Sequence, residues 1–197
     1  MEIFYLDNVP STQKYLLEYL KTNFKEVCFW TNNQTDGIGT RGRNWIGMRG
    51  NLFFSFSFRK RADIPNQSYS LFFAYLLKSL LNDLGSDVKL KWPNDLYLNK
   101  KVGGVLSHLK KEFVVCGIGL NTILSPTGFD KLDIKIDEVE LLTLFFRKLE
   151  TSWSEVFDGY KDEFYKHKFI TSDNIDLSKV VLQNDGSIKV NGEVRWV

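Results

Sequence analysis

Residues 88–120 read VKLKWPNDLYLNKKVGGVLSHLKKEFVVCGIGL, and this stretch decides the predicted fold. It holds four apolar runs, at 88–92, 96–98, 102–109 and 113–120, with polar turn residues between them. Short runs separated in this way predict strands joined as antiparallel hairpins. Because helical segments flank this strand-rich centre, the pattern favours an α+β fold over a doubly wound parallel sheet.

The N-terminal part adds strands and one helix. Residues 2–6 and 26–31 are predicted strands, and Ser11-Thr12 is predicted to cap a helix that runs to about residue 21. Residues 52–58 alternate between large apolar side chains and other residues, which predicts a strand with one buried face. The sheet is therefore expected to continue through this segment.

Two further segments are predicted to be helical. Residues 68–84 are strongly apolar and end at Gly85, which suits the left-handed position after a core helix. Residues 139–168 carry an apolar stripe at helical spacing, with a break expected near Gly159.

The C-terminal tail has a different character. Asn184-Asp185-Gly186 and Asn191-Gly192 are hairpin signals, so residues 175–197 are predicted to form a small β module. We therefore expect two parts, a main domain at 1–172 and a short C-terminal module at 173–197.

Composition and charge narrow the function classes. The chain has 197 residues, 43% hydrophobic and 15% aromatic, which suffices for one substantial core. With 26 basic and 24 acidic residues, its formal charge of +2 gives no broad positive field for nucleic acid. Cys28 and Cys116 form no CxxC or Cys/His cluster, which favours a reducing cytoplasm. No signal-peptide pattern opens the chain, and Lys78 interrupts its most apolar stretch, so no membrane partner is expected.

A glycine-rich loop is the first candidate for binding chemistry. Residues 34–45, QTDGIGTRGRNW, place glycines around Arg41 and Arg43 without apolar periodicity. Backbone N–H groups and guanidinium donors can converge there on phosphate or carboxylate oxygens. The segment matches neither a Walker loop nor the dinucleotide fingerprint, so a solvated flexible loop is an open alternative. A nucleic-acid contact is another, disfavoured by the near-neutral charge.

The KWPND segment is the second candidate. Lys91 to Asp95 ends a predicted strand in a turn, since proline cannot donate a sheet hydrogen bond, and the turn presents Asn94 and Asp95 together. Lys101 follows, just before Val102-Gly103-Gly104, where a ligand or another backbone can approach closely. Taken alone, the segment is also consistent with a polar hairpin turn and a solvated lysine.

Five motifs together resemble the biotin protein ligase family in order and approximate spacing. They are Ser11-Thr12-Gln13, Gln34 with residues 37–45, Lys91 to Asp95, Lys101 to Gly104, and Gly117 to Asn121. The resemblance covers residues 1–125 firmly, and KWPND followed by K-x-G-G is its most specific part. It implies a catalytic domain with a mixed β-sheet backed by helices, similar to class II aminoacyl-tRNA synthetases, and a small C-terminal β module.

The same resemblance implies a ligase reaction in two steps. Biotin is activated with ATP to biotinyl-5'-AMP with release of pyrophosphate, and biotin is then transferred to a lysine of a biotin carboxyl carrier protein. Mg²⁺ would screen the phosphates. Because the first family motif begins at Ser11, we expect a catalytic-domain-only form without the N-terminal DNA-binding domain of some relatives. We expect a cytoplasmic enzyme and, on resemblance alone, a homodimer.

The resemblance also assigns roles to individual residues. Lys101 would lie between the biotin carboxylate and the α-phosphate, and Arg41 and Arg43 would meet the phosphates, which makes these three the predicted catalytic residues. The predicted biotin-binding residues are Ser11, Thr12, Gln34, Gly37, Lys101, Gly103 and Gly104. The predicted ATP- or adenylate-binding residues are Arg41, Arg43, Trp45, Asn94, Asp95, Lys101 and Asn121, with Trp45 packing on the adenine. No metal ligand is predicted.

The glycine-arginine loop departs from the family pattern, which commonly reads G-R-G-R-x-G-R. Ile38 and Thr40 stand at the positions of its first two arginines. Because those arginines help to order the loop over biotinyl-AMP, we expect weaker retention of the adenylate. The second asparagine that relatives often carry two residues after Asn121 is also absent.

Two alternative functions stay open at this point. A lipoate protein ligase or octanoyltransferase shares the fold and the active-site lysine, although KWPND and Trp45 argue against it. A noncatalytic biotin-binding protein could dispense with Lys101.

Overall fold

A computed structural model describes residues 1–167, 169–171 and 174–196. The strands are β1 (Glu2–Tyr5), β2 (Val27–Thr31), β3 (Gly37–Ile38), β4 (Asn44–Trp45), β5 (Leu52–Arg59), β6 (Lys89–Lys91), β7 (Asp95–Tyr97), β8 (Lys101–Lys110), β9 (Phe113–Leu120), β10 (Val181–Leu182), β11 (Ile188–Val190) and β12 (Glu193–Arg195). The α-helices are α1 (Thr12–Tyr19), α2 (Tyr69–Asp83), α3 (Glu138–Lys148) and α4 (Trp153–Phe164). The predicted helix end at residue 168 and the predicted domain boundary at 172/173 lie outside the described residues.

The main sheet has seven strands in the order β1-β2-β5-β9-β8-β7-β6. Strands β1 and β2 pair in parallel, and the other neighbours in this sheet pair antiparallel. Strands β10 to β12 form a separate antiparallel sheet. The α+β prediction, with a mixed sheet backed by helices and a small C-terminal β module, is confirmed.

Strand β5 lies inside the sheet, between β2 and β9, and is buried on both faces. Phe54 and Phe56 face helices α2 and α3, where Phe56 packs edge-on against Phe73 and Phe145 at centroid distances of 5.0 and 5.7 Å. On the opposite face, helix α1 covers Ser55, which is fully buried. The prediction of one buried face was therefore wrong, because α1 closes the side that the serines occupy.

The C-terminal helical region is broken before Gly159, not at it. Helix α4 begins after Ser152, whose hydroxyl accepts from Glu155 N at 3.3 Å while its own N–H donates to the Glu155 carboxylate at 2.9 Å. This capping box sets the helix start. Gly159 stays inside α4, where a Cβ would lie 2.1 Å from the Tyr75 hydroxyl, so glycine serves close helix packing.

The glycine-arginine loop contains more structure than expected. Strands β3 and β4 form a two-stranded hairpin in which Gly37 pairs with Trp45. Arg41 and Gly42 form its tip with left-handed φ values of 57° and 71°. The prediction of an irregular loop was therefore wrong for the base of the segment. Across the described ranges, no helix is both long enough and apolar enough to cross a bilayer.

Candidate active site

Two adjoining cavities, both open to solvent, lie beside the glycine-arginine hairpin. The small cavity contains about 470 Å³ of empty space and the large cavity about 1800 Å³. The residues that line both are Gly39, Thr40, Trp45, Asn94, Asp95 and Lys101. Four of the predicted site residues thus stand at the junction of the cavities.

A polar network forms one end of the small cavity. Ser11 is the N-cap of α1, and its hydroxyl accepts from Lys14 N at 3.3 Å. The Gln34 side-chain oxygen accepts from Thr12 N at 2.9 Å and from the Thr12 hydroxyl at 3.2 Å. The Thr12 hydroxyl also lies 2.8 Å from Ser55 Oγ. Two predicted biotin-binding residues, Thr12 and Gln34, therefore share one hydrogen-bonded group with Ser55, which the sequence analysis does not assign, and Ser11 lies beside them in the same cavity.

Alternate glycines on β9 leave the space that side chains from elsewhere occupy. A Cβ on Gly117 would lie 2.5 Å from Gln13 Oε1, and a Cβ on Gly119 would lie 2.5 Å from the indole of Trp45. Gln13 Oε1 and Trp45 Nε1 are buried and have no hydrogen-bond partner within the described part of the chain. The Gly-x-Gly spacing of Gly117 and Gly119 is the sequence signal that this face of β9 leaves room for the side chains of Gln13 and Trp45.

An ion pair joins Lys101 and Asp95 at the junction, with 2.6 Å between Lys101 Nζ and Asp95 Oδ1. Lys101 Nζ also lies 5.4 Å from the ring centroid of Trp45, within the range of a cation–π contact. A Cβ on Gly104 would approach both charged groups at 3.2 Å, so the glycine gives them room. Asn94 fixes the KWPND turn, because its side chain donates to Val105 O and its carbonyl accepts from Val105 N.

Cationic side chains surround the large cavity. Arg41 and Arg43 line it as predicted, and Lys91 and Arg195 line it as well. Burial lowers the pKa of Lys91, and the nearby charge of Lys101 lowers it further, whereas Asp95 raises it. The sequence analysis places Lys91 in the KWPND segment but predicts no role for its side chain. Arg195 and its neighbour Trp196, which also lines the cavity, carried no motif.

Three predicted residues sit differently from expectation. Gly37 is buried and lines neither cavity, and a Cβ there would lie 2.6 Å from Gln34 Nε2. Gly103 faces the core, where a Cβ would lie 2.9 Å from the Leu120 side chain. Asn121 lines the large cavity but is 1% exposed. Its side-chain nitrogen donates to Asp130 O at 3.0 Å, and its side-chain oxygen accepts from Asn51 Nδ2 at 3.2 Å. All three support the walls through protein contacts.

The region that matches a known family contains all the residues that line the small cavity and most of those that line the large one. A model of the biotin/lipoate A/B protein ligase family matches residues 5–121. The chain belongs to this family. Among family members, the bifunctional ligase/repressor BirA of Salmonella typhimurium is 33% identical over 135 residues, a match that covers 64% of this chain and 42% of BirA. The chain therefore spans less than half the length of that relative.

Solved structures of the same family extend the match to the whole chain. Biotin acetyl coenzyme A carboxylase synthetase from Helicobacter pylori, solved with bound biotinylated ATP, is 35% identical with a TM-score of 0.91, covering 100% of this chain and 99% of that one. Biotin protein ligase from Aquifex aeolicus, in complex with biotin and ATP, is 25% identical with a TM-score of 0.71, covering 100% and 95%. The resemblance to biotin protein ligases that the five motifs predicted is confirmed.

Proposed function

We propose that this protein is a biotin protein ligase that activates biotin with ATP to biotinyl-5'-AMP, releases pyrophosphate, and transfers biotin to a lysine of a biotin carboxyl carrier protein. The observation that carries the proposal is the junction of a small and a large cavity at Lys101 and Asp95. The full-length similarity to the Helicobacter pylori enzyme supports it. Activation joins two substrates, and this architecture provides a compartment for each.

Biotin is assigned to the small cavity. Its ureido ring needs both donors and acceptors, which Ser11 and the hydrogen-bonded pair of Thr12 and Gln34 supply at one end. Leu106 and Ile38 add apolar surface to the same cavity, whereas the Val105 and Ile118 side chains lie in the core on the other face of the sheet. A ligand with a polar ring and an aliphatic acid chain matches that distribution, because each buried polar group requires a partner.

ATP is assigned to the large cavity, with Arg41, Arg43 and Lys91 around its phosphates. In the first step, a biotin carboxylate oxygen attacks the α-phosphorus, a P–O bond forms, and the bond to pyrophosphate breaks. Lys101 aligns the attacking carboxylate and neutralises the charge that develops at phosphorus. No covalent enzyme intermediate is required, because positioning and electrostatics suffice for this chemistry.

In the second step, the amine of the acceptor lysine attacks the acyl carbon of biotinyl-AMP. The ammonium group first gives one proton to solvent; then a C–N bond forms, the acyl C–O bond breaks, AMP leaves, and the second proton of the amine passes to solvent. Asn94 and Asp95 stand at the junction where this carbon would lie, and Asp95 supplies a negative charge that attracts the incoming ammonium group.

Mg²⁺ is assigned as the ion that accompanies ATP. Within the described ranges, no three His, Cys, Asp or Glu side chains form a cluster that could hold a metal by themselves. This donor set still fits Mg²⁺, which usually binds through substrate phosphates, water and one or two carboxylates. Asp95 is the carboxylate that lines the large cavity and would provide the protein oxygen. When bound, the ion screens phosphate charge.

The remaining assignments follow from the same reaction. The acceptor is a carboxyl carrier domain, and the enzyme works in the cytoplasm, a setting compatible with the free, buried Cys28 and Cys116. We divide the chain into a catalytic domain at 1–172 and a module at 173–197, and we assign a homodimer. Sedimentation equilibrium tests the dimer independently of activity.

Pyrophosphate release tests the proposed function directly. The protein is mixed with ATP, Mg²⁺ and either biotin or lipoate, and pyrophosphate is measured. Release with biotin is expected. Release with lipoate alone would assign the protein to the lipoate ligases, and binding of biotin without release would indicate a noncatalytic biotin-binding protein.

A further inference from the structure

Three consecutive backbone carbonyls in the C-terminal module each accept a hydrogen bond from a side chain of the main domain. Trp153 Nε1 donates to Asn184 O at 3.2 Å, the Ser68 hydroxyl donates to Asp185 O, and Trp92 Nε1 donates to Gly186 O at 2.8 Å. We call residues 183–187 the clamped turn. Its docking depends on donors that are distant in sequence.

The clamped turn is closed by its own hydrogen bonds, so its carbonyls point outward in a fixed arrangement. Gly186 N donates to Gln183 O at 2.8 Å, and Gln183 N donates to Ser187 O at 2.8 Å. Gly186 has a φ of 82°, and a Cβ there would lie 2.7 Å from a Leu71 methyl group. Glycine is therefore needed both for the left-handed backbone and for the close approach to α2.

The side chains of Ser68, Trp92 and Trp153 use their hydrogen-bond donors for the clamped turn. Ser68 precedes α2, a position at which serine commonly accepts from the helix backbone, yet no such capping bond forms and its hydroxyl donates to Asp185 O. Ser68, Trp92 and Trp153 are 1%, 7% and 8% exposed, so the donors themselves are shielded from water. Of the acceptor residues, Gly186 is buried, Asp185 is half-buried and Asn184 is exposed, so loss of a donor weakens the docking of the turn without leaving every carbonyl unpaired.

The clamped turn leads directly into a wall of the large cavity. Ile188 follows it and pairs with Arg195 across β11 and β12. Ile188, Arg195 and Trp196 all line the large cavity. The first residue of this wall, Ile188, is only two residues from Gly186, so the hydrogen bonds that hold the turn also position the wall.

We propose that Ser68 and Trp153 are positioning residues for nucleotide binding, which hold the C-terminal wall of the large cavity through the clamped turn. Neither residue lines that cavity, although Ser68 lines a third cavity that adjoins it at Arg41 and Trp196. Trp92 also donates to the turn but lines the cavity, so its effect would combine positioning with contact. The inference rests on the proposed function only in naming ATP as the ligand.

The test uses the double variant Ser68→Ala/Trp153→Phe of the full chain. Hydrogen exchange of residues 184–196 measures whether the clamp holds the module. Calorimetric titration with biotin, then with α,β-methylene-ATP in the presence of biotin, measures the two affinities. Ser57→Ala and Phe157→Leu are the controls. Ser57 is another buried serine, which donates to Lys25 O at 2.7 Å, and the Phe157 ring lies 5.5 Å from that of Trp153.

The double variant should exchange faster at 184–196 and bind the ATP analogue at least about fivefold more weakly, because a smaller fraction of molecules holds the wall in place. Its biotin affinity should stay within about twofold of the wild-type value. The control variants should be less stable than the wild-type protein, but their affinity for the ATP analogue should not fall relative to their affinity for biotin. Unchanged exchange would show that the clamp does not hold the module. Faster exchange with unchanged analogue affinity would show that the wall does not serve the nucleotide. If the wild-type protein binds no analogue, the proposed function fails, while the exchange result still decides the clamp.

Discussion

Lys101 Nζ lies 2.6 Å from Asp95 Oδ1, and both side chains line both cavities. The two residues come from neighbouring strands, since Asp95 on β7 pairs with Gly104 on β8. Their side chains are 24% and 28% exposed, so the pair is partly shielded from water, which strengthens its attraction relative to a surface pair. The lysine that we assign to the reaction is therefore held in position before substrates bind.

Lys101→Ala should slow biotinyl-AMP formation by about a hundredfold or more, the usual loss when one group that stabilises transition-state charge is removed. The melting temperature should change little, because the residue begins a strand at the edge of a cavity and contributes little to the core. Pyrophosphate release and scanning calorimetry measure the two effects. Lys110→Ala, an exposed lysine on the same strand, is the control. Near-normal turnover in Lys101→Ala would refute the assigned role.

Ile38→Arg/Thr40→Arg should slow the release of biotinyl-AMP. Ile38 lines the small cavity and Thr40 lines both, so arginines there would face the bound adenylate. A charge-assisted hydrogen bond contributes roughly 1.5–3 kcal/mol, which corresponds to a release about tenfold slower or more. Release of labelled biotinyl-AMP from the wild-type protein and the variant measures this.

Thr35→Arg is the matched control for that experiment. Thr35 is exposed and precedes the same hairpin, but it lines neither cavity. Its substitution should leave release unchanged. Wild-type release as slow as that of arginine-rich relatives would contradict the prediction.

Local patterns in the sequence were sufficient for the sheet, whereas the residues of the candidate site were named from the resemblance of five motifs to a family. The alternation in 52–58 located β5, and the KWPND segment located the junction that holds Asp95 and Lys101. The burial of both faces of β5 was missed, because it depends on α1 crossing the sheet at Ser55, a long-range contact with no local signal.

The break in the C-terminal helical region had a local signal. Ser152 and Glu155 have capping-box spacing, which marks a helix start, whereas Gly159 does not interrupt the helix. Paired glycines permit close approach of a ligand or of another side chain; a Cβ on Gly103 would meet Leu120, and the biotin contact at Gly103 stays a prediction. The wall formed by Arg195 and Trp196 could not be predicted, since its place depends on the clamped turn.

Gly119→Ala should weaken the binding of both biotin and ATP. Its Cβ would lie 2.5 Å from the Trp45 indole, which lines both cavities, so the ring must move. Calorimetric titration should show losses of about tenfold for each ligand, the scale expected when one well-placed contact of roughly 1.4 kcal/mol is lost.

Gly103→Ala is the matched control on the neighbouring strand. Its Cβ would press on Leu120, so it should lower the melting temperature while the affinity for biotin is retained. The same variant tests the predicted biotin contact at Gly103. Weakened biotin binding in a folded Gly103→Ala protein would instead support the predicted contact between Gly103 and biotin.

His167 should make the protein less stable as the pH falls from 7 towards 5. Burial lowers the pKa of His167 below its ordinary value of 6.5, and the charge of Lys89 lowers it further, whereas Glu163 raises it. Lys78 and Lys166 also lower this pKa. Well above pH 6.5 the imidazole is neutral in both the folded and the unfolded chain. Below it the unfolded chain takes up the proton first, so the free energy of unfolding decreases until the pH falls through the lower folded-state pKa.

Urea unfolding of the wild-type protein and His167→Gln at pH 7, 6 and 5 measures this contribution. The variant should lose less stability between pH 7 and pH 5, because its side chain does not titrate. His108→Gln removes the other histidine and serves as the comparison, since His108 is exposed on β8. Equal pH dependence in the wild-type protein and His167→Gln would show that carboxylates alone account for the acid-induced loss, which would contradict the prediction.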